Sequence, residues 1–146
     1  MKKIVTAVFL TCLMLFSLPL LAAQTGSIEV SVEGVRNGNG IVEVALFNSE
    51  EGYPDKSQKA LQLIRSTIKN GKAVVVFQSI PYGHYAISAM HDEDNDGKMK
   101  VNFMGIPKEG TAASNNAKGS FGPPDFKDAR FEVSSSKMEI SLEMQY

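Results

Sequence analysis

Cysteine is almost absent from this chain: among 146 residues only Cys12 carries a thiol, and there is no tryptophan. One thiol cannot build a disulfide framework, so the fold must be held by its core, or by a core plus a metal. Cys12 also sits in the middle of an apolar run, behind Phe9, Leu10 and Thr11, and not behind a small residue at the end of one, as a lipid-modified cysteine would. Histidine is scarce too, with His84 and His91 alone, which excludes a zinc site of ordinary composition. Neither sign of charge is in surplus, with 15 Lys and Arg against 16 Asp and Glu. Without a basic face, nucleic acid is no candidate partner. Beyond residue 24 there is no long apolar run, so no membrane span is expected in the mature chain.

What is present begins with Lys2 and Lys3, the apolar run Ile4 to Phe16, and then Ser17, Pro19, Ala22 and Ala23. That order is the pattern of a cleaved secretory signal peptide, expected over residues 1–23. An uncleaved anchor is the competing reading, which Pro19 and the small residues before Gln24 oppose. The protein is therefore expected to be periplasmic or secreted. Removing 23 residues from 146 leaves 123, which suits a single domain over 24–146. Loss of Lys2 and Lys3 moves the formal charge from −1 to −3.

Period-two patterning then dominates. Ile28, Val30 and Val32 alternate with Glu29, Ser31 and Glu33, and after "RNGNG" (Arg36 to Gly40) Val42, Val44 and Leu46 resume the alternation, which predicts a hairpin. A strand is expected in the second half of Ser57 to Ile68, followed by an Asn70-Gly71 turn and the run "AVVVFQSI". Past Pro81-Tyr82-Gly83, Tyr85, Ile87, Ala89 and His91 share one face. Phe131 and Val133, and then Met138, Ile140, Leu142 and Met144, complete the alternation. The expected fold is all-β: a single antiparallel β-sandwich of about seven strands, transthyretin-like or Ig-like, with a long ordered loop. That loop, Lys98 to Ala129, lacks sustained alternation and should fold onto the sandwich through Phe103, Met104, Ile106, Phe121 and Phe126.

Candidate chemistry gathers where the alternation stops. Asp92, Asp94, Asp96 and Gly97 form a D-x-D-x-D-G run, which offers three carboxylates around a tight turn, and the backbone carbonyl of Lys98 falls where a calcium loop takes its fourth ligand. The closing glutamate of such a loop is replaced by Phe103, and Lys100 dilutes the charge. Two readings therefore stand: a calcium-type site completed from elsewhere, and a solvated acidic turn. His91, Asn102, Glu109, Ser114, Asn115 and Asn116 are candidate ligand or loop-organising residues. A hydrolase built on His91, Asp92 and Glu109, or using Ser114 or Ser120 as nucleophile, is the catalytic alternative, although no G-x-S-x-G elbow supports it.

At these residues the sequence resembles a known family. "IPYGHYAISAMHDEDNDGKMKVNFMGIPKEG" followed by "SNNAKGSFGPPDF" is similar to the DUF2141 family of exported bacterial proteins. The matching positions are His91, Asp92, Gly97, Lys98, Asn102, Phe103, Gly105, Ile106, Pro107, Glu109, Gly110, Ser114, Asn115 and Asn116. Lys100 stands where the family has an aspartate, and Thr111-Ala112-Ala113 replaces an aromatic-glycine-phenylalanine stretch. The resemblance implies a small sandwich akin to transthyretin-like and carboxypeptidase regulatory-like domains, with "PYGHY" echoing their P-x-G-x-Y turn, and it implies no activity. The expected function is a non-enzymatic binding or structural module of the cell envelope, with calcium as its only candidate cofactor and an envelope component or small ligand as partner. A small outer-membrane barrel is disfavoured by strands too few and too short to span.

Overall fold

A computed structural model describes residues 23–146; the expected signal peptide, Ala23 apart, and Cys12 lie outside the described residues. The period-two stretches become strands because branched and aromatic side chains on one face can be buried while the charged ones stay in water. Among the described residues there are eight: β1 (Thr25–Glu33), β2 (Ile41–Phe47), β3 (Gln62–Ser66), β4 (Ala73–Pro81), β5 (Gly83–Asp92), β6 (Gly110–Ala113), β7 (Phe131–Val133) and β8 (Lys137–Glu143). One short helix, α1 (Phe126–Ala129), precedes β7. The fold is all-β, in two sheets. One has the order β4-β1-β8; the other runs β3-β2-β5-β6, with β7 paired to the first residues of β5.

The expectation of about seven antiparallel strands is corrected on both counts. β6 escaped the pattern because Gly-Thr-Ala-Ala offers no contrast between large apolar and polar side chains. β8 runs parallel to β1, from Ser27 opposite Lys137 to Glu33 opposite Glu143. The cause is connectivity: β7 ends beside the start of β5, and the chain then reaches the sheet at the end where β1 begins, with Ser27 N–H on the Ser136 carbonyl at 3.0 Å.

The expected β1–β2 hairpin is also replaced. Both edges of β1 are occupied, by β4 and β8, so the segment from Gly34 to Gly40 carries the chain into the other sheet, where β2 pairs with β3 and β5. Asn70-Gly71 does form a tight turn, with positive φ at both residues and reciprocal Lys69–Lys72 bonds of 2.8 and 3.1 Å. Beyond it β3 and β4 part into different sheets.

Side chains of both sheets meet in one core. Ile28, Val30 and Val32 of β1, Phe77 and Ile80 of β4 and Leu142 of β8 pack with Val42, Val44 and Leu46 of β2 and with Tyr85, Ile87 and Ala89 of β5. Each large side chain fully buried there contributes about 1.5–3 kcal/mol. Residues 23–146 thus hold a core of their own. Tyr85 secures the turn between β4 and β5 by donating its hydroxyl to the Pro81 carbonyl at 2.8 Å. A smaller cluster of Ala86, Ala113 and Ala129 lies against Tyr53 and Phe126. Among the described residues, no helix is long and apolar enough to cross a membrane.

The segment after β5 departs most from expectation. Of its five intended apolar anchors Phe126 packs, whereas Phe103 is 96% exposed, Met104 64%, Ile106 52% and Phe121 106%. Hydrogen bonds to buried polar groups hold this segment in place of apolar contacts, and they define the site.

Candidate functional site

Alternation along β5 puts His91 on the inner face with Tyr85, Ile87 and Ala89, and leaves Asp92 at the strand's end. The "RNGNG" segment crosses that end. A Cβ on Gly40, whose φ is +65°, would lie 1.8 Å from the Asp92 carbonyl oxygen, so only glycine permits the approach. The crossing brings the Asn39 carbonyl to 2.8 Å from His91 Nε2, while Nδ1 lies 2.8 Å from the Tyr146 hydroxyl. That hydroxyl also accepts the Arg36 N–H at 3.0 Å. With the ring proton on Nε2, His91, the Asn39 carbonyl and the Tyr146 hydroxyl each have a partner of the right kind. His91 is 0% exposed, sealed among these partners.

Two buried carboxylates do the same for the backbone around it. Asp92 accepts the Asp96 N–H on one oxygen at 3.2 Å and the Gly97 N–H on the other at 2.9 Å, closing the acidic turn upon itself. Glu109 accepts the Glu93 N–H and the Lys100 N–H, both at 3.0 Å, and so joins the two limbs of the following loop. Burying a charge is costly, and charge-assisted bonds to two backbone donors offset it.

Partly exposed groups surround this base. Glu93 takes a bond from Asn37 Nδ2 at 3.0 Å and pairs with Arg36, and the Asn37 bond, with Arg36 behind it, holds the carboxyl below its usual range. Arg36 also lies over the Tyr146 ring, 4.3 Å from its centroid, and donates to the Lys108 carbonyl at 3.2 Å. Asp94 pairs with Lys100, which lowers the acid's pKa and raises the amine's. One carboxylate oxygen from each of Asp92, Asp94 and Asp96 lies within 4.8 Å of the others, an arrangement that could hold a metal ion. Lys98, the expected fourth ligand through its carbonyl, follows in the turn with its N–H on Asp96 at 2.8 Å.

Asn102 builds the far end of the loop. Its side-chain oxygen accepts the N–H groups of Met104 and Ile106 at 2.9 and 3.0 Å, and its N–H bonds the Ile106 carbonyl at 2.8 Å. Val101 bridges Pro107, and Lys108 N–H reaches the Lys100 carbonyl at 2.8 Å. The result is a narrow, ordered hairpin whose apolar side chains face water.

Ser114, Asn115 and Asn116 lie beyond the other end of β6 and serve a separate junction. Ser114 Oγ accepts the Ile87 N–H at 2.9 Å and donates to the Ala129 carbonyl at 2.6 Å. Asn115 donates to the Asp128 and Arg130 carbonyls at 3.1 and 3.0 Å, and Asn116 accepts the Glu143 N–H at 2.9 Å. The structure therefore brings together His91, Asp92, Asp94, Asp96, Lys98 and Glu109, sets Asn102 at the far end of the same loop, and keeps the serine and the two asparagines of the Ser114 junction apart from them. Near that junction a shallow cleft of about 400 Å³ runs between Tyr53, Pro54, Pro124 and Phe126, with Glu50, Asp55 and Asp125 among its lining. The Tyr53 hydroxyl is buried without a hydrogen-bond partner, and burial drives its pKa upward.

Arg36, Asn37, Asn39, Gly40 and Tyr146 are site residues that the sequence reading missed. Their signal was an excess: "RNGNG" has more asparagine and glycine than a two-residue turn needs. As chemistry, the arrangement can position backbone and offer oxygens to a cation. His91, Asp92 and Glu109 are all three buried, and each is bonded to neighbouring parts of the chain.

Comparison with curated proteins and with solved structures found no match to this chain. Comparison with family models did, over residues 30–141, a span that includes the acidic turn, the Asn102 hairpin and the Ser114 junction. The chain belongs to the bacterial family described as "Uncharacterized protein conserved in bacteria (DUF2141)".

Proposed function

We propose that the protein is an exported, non-catalytic binding or structural module of the cell envelope, in which a transthyretin-like sandwich presents the loop between β5 and β6 and calcium at the acidic turn stiffens the base of that loop. The observation that carries this reading is the use made of the buried polar groups. His91, Asp92 and Glu109 are 0%, 1% and 3% exposed, and each fixes neighbouring chain segments in place. His91 has both ring nitrogens engaged and is sealed from solvent, which favours display over turnover. Two sheets around one core, and the Tyr85 hydroxyl bonded back to Pro81, support the sandwich reading. Lys2, Lys3 and the apolar run after them support export to the periplasm or beyond, through residues 1–23 as a signal peptide.

Calcium is supported by the convergence of Asp92, Asp94 and Asp96 within 4.8 Å. Hard cations take six to eight oxygens, so the Lys98 carbonyl and water would complete the shell. Lys100 now answers the charge of Asp94 and would be displaced. The test is a thermal melt of residues 23–146 with calcium and with chelator. A ligand at a hundredfold excess over its Kd stabilises by about 2.7 kcal/mol. That corresponds to a rise of roughly 8–12 °C for a domain of this size. Asp94→Asn with Asp96→Asn should abolish the rise. An unmoved melting temperature in the parent protein removes calcium from the proposal and leaves a solvated acidic turn.

A further inference from the structure

A strand at the edge of a sheet turns alternate N–H and C=O groups outward, where they lack a partner unless something else reaches them. Most edges of this fold are closed. Where β3 and β4 face each other, Ser66 Oγ donates to the Val74 carbonyl at 3.1 Å and Gln62 Nε2 to the Gln78 carbonyl at 3.5 Å. Thr111 of β6 exchanges two bonds of 2.8 Å with Gln145, and β7 has only three residues. β8 differs. Ser136 and Met144 bond β1, through Ser27 N–H at 3.0 Å and the Glu33 carbonyl at 2.9 Å, and so do the even-numbered residues between them. Lys137, Glu139, Ser141 and Glu143 therefore turn their backbone groups outward.

Side chains cap both ends of that row. Ser135 Oγ donates to the Lys137 carbonyl at 2.9 Å. At the other end Asn116 Oδ1 accepts the Glu143 N–H at 2.9 Å, and Gln145 Nε2 donates to the Glu143 carbonyl at 3.3 Å. Between the caps, the N–H and C=O of Glu139 and Ser141 and the N–H of Lys137 have no partner among the described residues. Behind them Met138 and Ile140 are only half-buried at the rim of the core.

This set of groups is complementary to itself. When the β8 of a second copy runs antiparallel with Ile140 on the twofold axis, Glu139 lies opposite the other copy's Ser141 and the two exchange both bonds. Done twice, this uses every N–H and C=O of residues 139 and 141 in both copies. Lys137 falls opposite Glu143, opposite charges on one face, while Met138 meets Leu142 and Ile140 meets its own counterpart on the core side. Other registers fail. An axis at Glu139 sets that carboxylate against itself, and one at Ser141 sets Glu139 against Glu143. An axis at Met138 leaves the Ser141 groups opposite Ser135, outside the strand. Charged side chains ordinarily deter pairing at an edge; these select one register.

We infer that the β8 edge is a homodimer interface, in which two copies join their three-stranded sheets into one of six strands about a twofold axis at Ile140. The dimer is weak, since a short ladder buries little area. Charge limits it further: on the outer face of the sheet Glu29, Glu33, Glu139 and Glu143 stand against Lys72 and Lys137, so two copies repel at long range. Thr111 and Gln145 tie the end of β8 to the base of the loop between β5 and β6, so the dimer presents two such loops at opposite ends.

The test is sedimentation velocity of residues 23–146 at up to about 1 mM, which reaches weak complexes. Salt at about 0.15 M screens the distant charges but not a contact pair, and chelator keeps the outcome independent of calcium. The parent protein should form a concentration-dependent dimer. Ser141→Pro removes two of the four central bonds and leaves the β1 ladder intact, and it should weaken the dimer by about tenfold or more. Lys137→Glu should weaken it by about three- to tenfold, and adding Glu143→Lys should restore it. Residues 23–146 hold no cysteine. In Ile140→Cys the one thiol meets its counterpart with Cα atoms about 4.5 Å apart, and mild oxidation should link the dimer; Glu139→Cys should stay unlinked. Thermal melts establish that each variant folds, and the charge exchange decides the matter if Ser141→Pro does not. The inference is overturned by a parent protein that stays monomeric, by a charge exchange that restores nothing, or by Glu139→Cys linking as readily as Ile140→Cys.

Discussion

Removing the Glu109 carboxylate tests whether buried charge, and not apolar contact, holds the loop between β5 and β6. In Glu109→Ala the Glu93 and Lys100 N–H groups, each bonded at 3.0 Å, lose their acceptor. Bonds to a charged acceptor contribute about 1.5–3 kcal/mol each. Against that gross loss stands the cost of burying the carboxylate itself, 3% exposed, which the substitution relieves. The net destabilisation expected is about 2–4 kcal/mol, and about 1–2 kcal/mol for Glu109→Gln, which keeps one acceptor but turns an amine toward the other donor. Urea denaturation should show a lower midpoint with an unchanged slope. Hydrogen exchange at the Glu93 and Lys100 amides should quicken more than exchange in β1 or β5. If both variants stay within about 0.5 kcal/mol of the parent protein, the range of ordinary surface changes, and both amides remain protected, the clamp argument is wrong.

Gly40→Ala should destabilise by about 2–4 kcal/mol or prevent folding, since its Cβ would collide with the Asp92 carbonyl at a positive φ; a melting curve like the parent's would refute the close crossing. Lys100→Ala frees Asp94 of its competing cation and should raise calcium affinity several-fold by calorimetric titration; equal or weaker binding would show that the pair does not compete. Burial raises the phenol pKa of Tyr53, Tyr85 and Tyr146, so the folded state resists their ionisation. Stability from this source is therefore whole below about pH 10, the unfolded value, and falls as pH rises above it because the unfolded chain releases those protons first. Tyrosinate absorbance should accordingly appear at higher pH in the folded protein than in urea, and superposed curves would contradict the burial.

The parts of the fold legible in sequence were those where side-chain alternation is a local property. Ile28, Val30 and Val32, or Tyr85, Ile87, Ala89 and His91, declare their inner face wherever their strand is placed. Partnership is not local: nothing in β1 announces that β8 will lie beside it in parallel, and "RNGNG" reads as a hairpin turn whether its flanking strands pair or part. The candidate site divides the same way. Asp92, Asp94, Asp96 and Glu109 were visible as oxygen-bearing groups in a dense motif. Their use was hidden, because whether a carboxylate faces a cation, a lysine or two backbone N–H groups depends on chain brought in from Arg36 to Gly40 and from Tyr146. The exposed tip ran against the usual inference from hydrophobicity to burial, which holds for a run of Phe, Met and Ile unless an Asn102 turn projects it.

Pairing β8 with β1 also has a consequence in time. The central strand of the three-stranded sheet waits for a neighbour that is synthesised more than a hundred residues later, and the Arg36–Tyr146 bond joins positions 110 apart. Contacts so distant must pay for loop closure before they return any stability, and such topologies fold in milliseconds to seconds. The N-terminal two-thirds of the chain cannot settle early into the final structure, since one edge of β1 and one partner of His91 are still missing. A chain that stays open until its last strand arrives completes the surroundings of His91, and with them the base of the loop between β5 and β6, only once Tyr146 is in place.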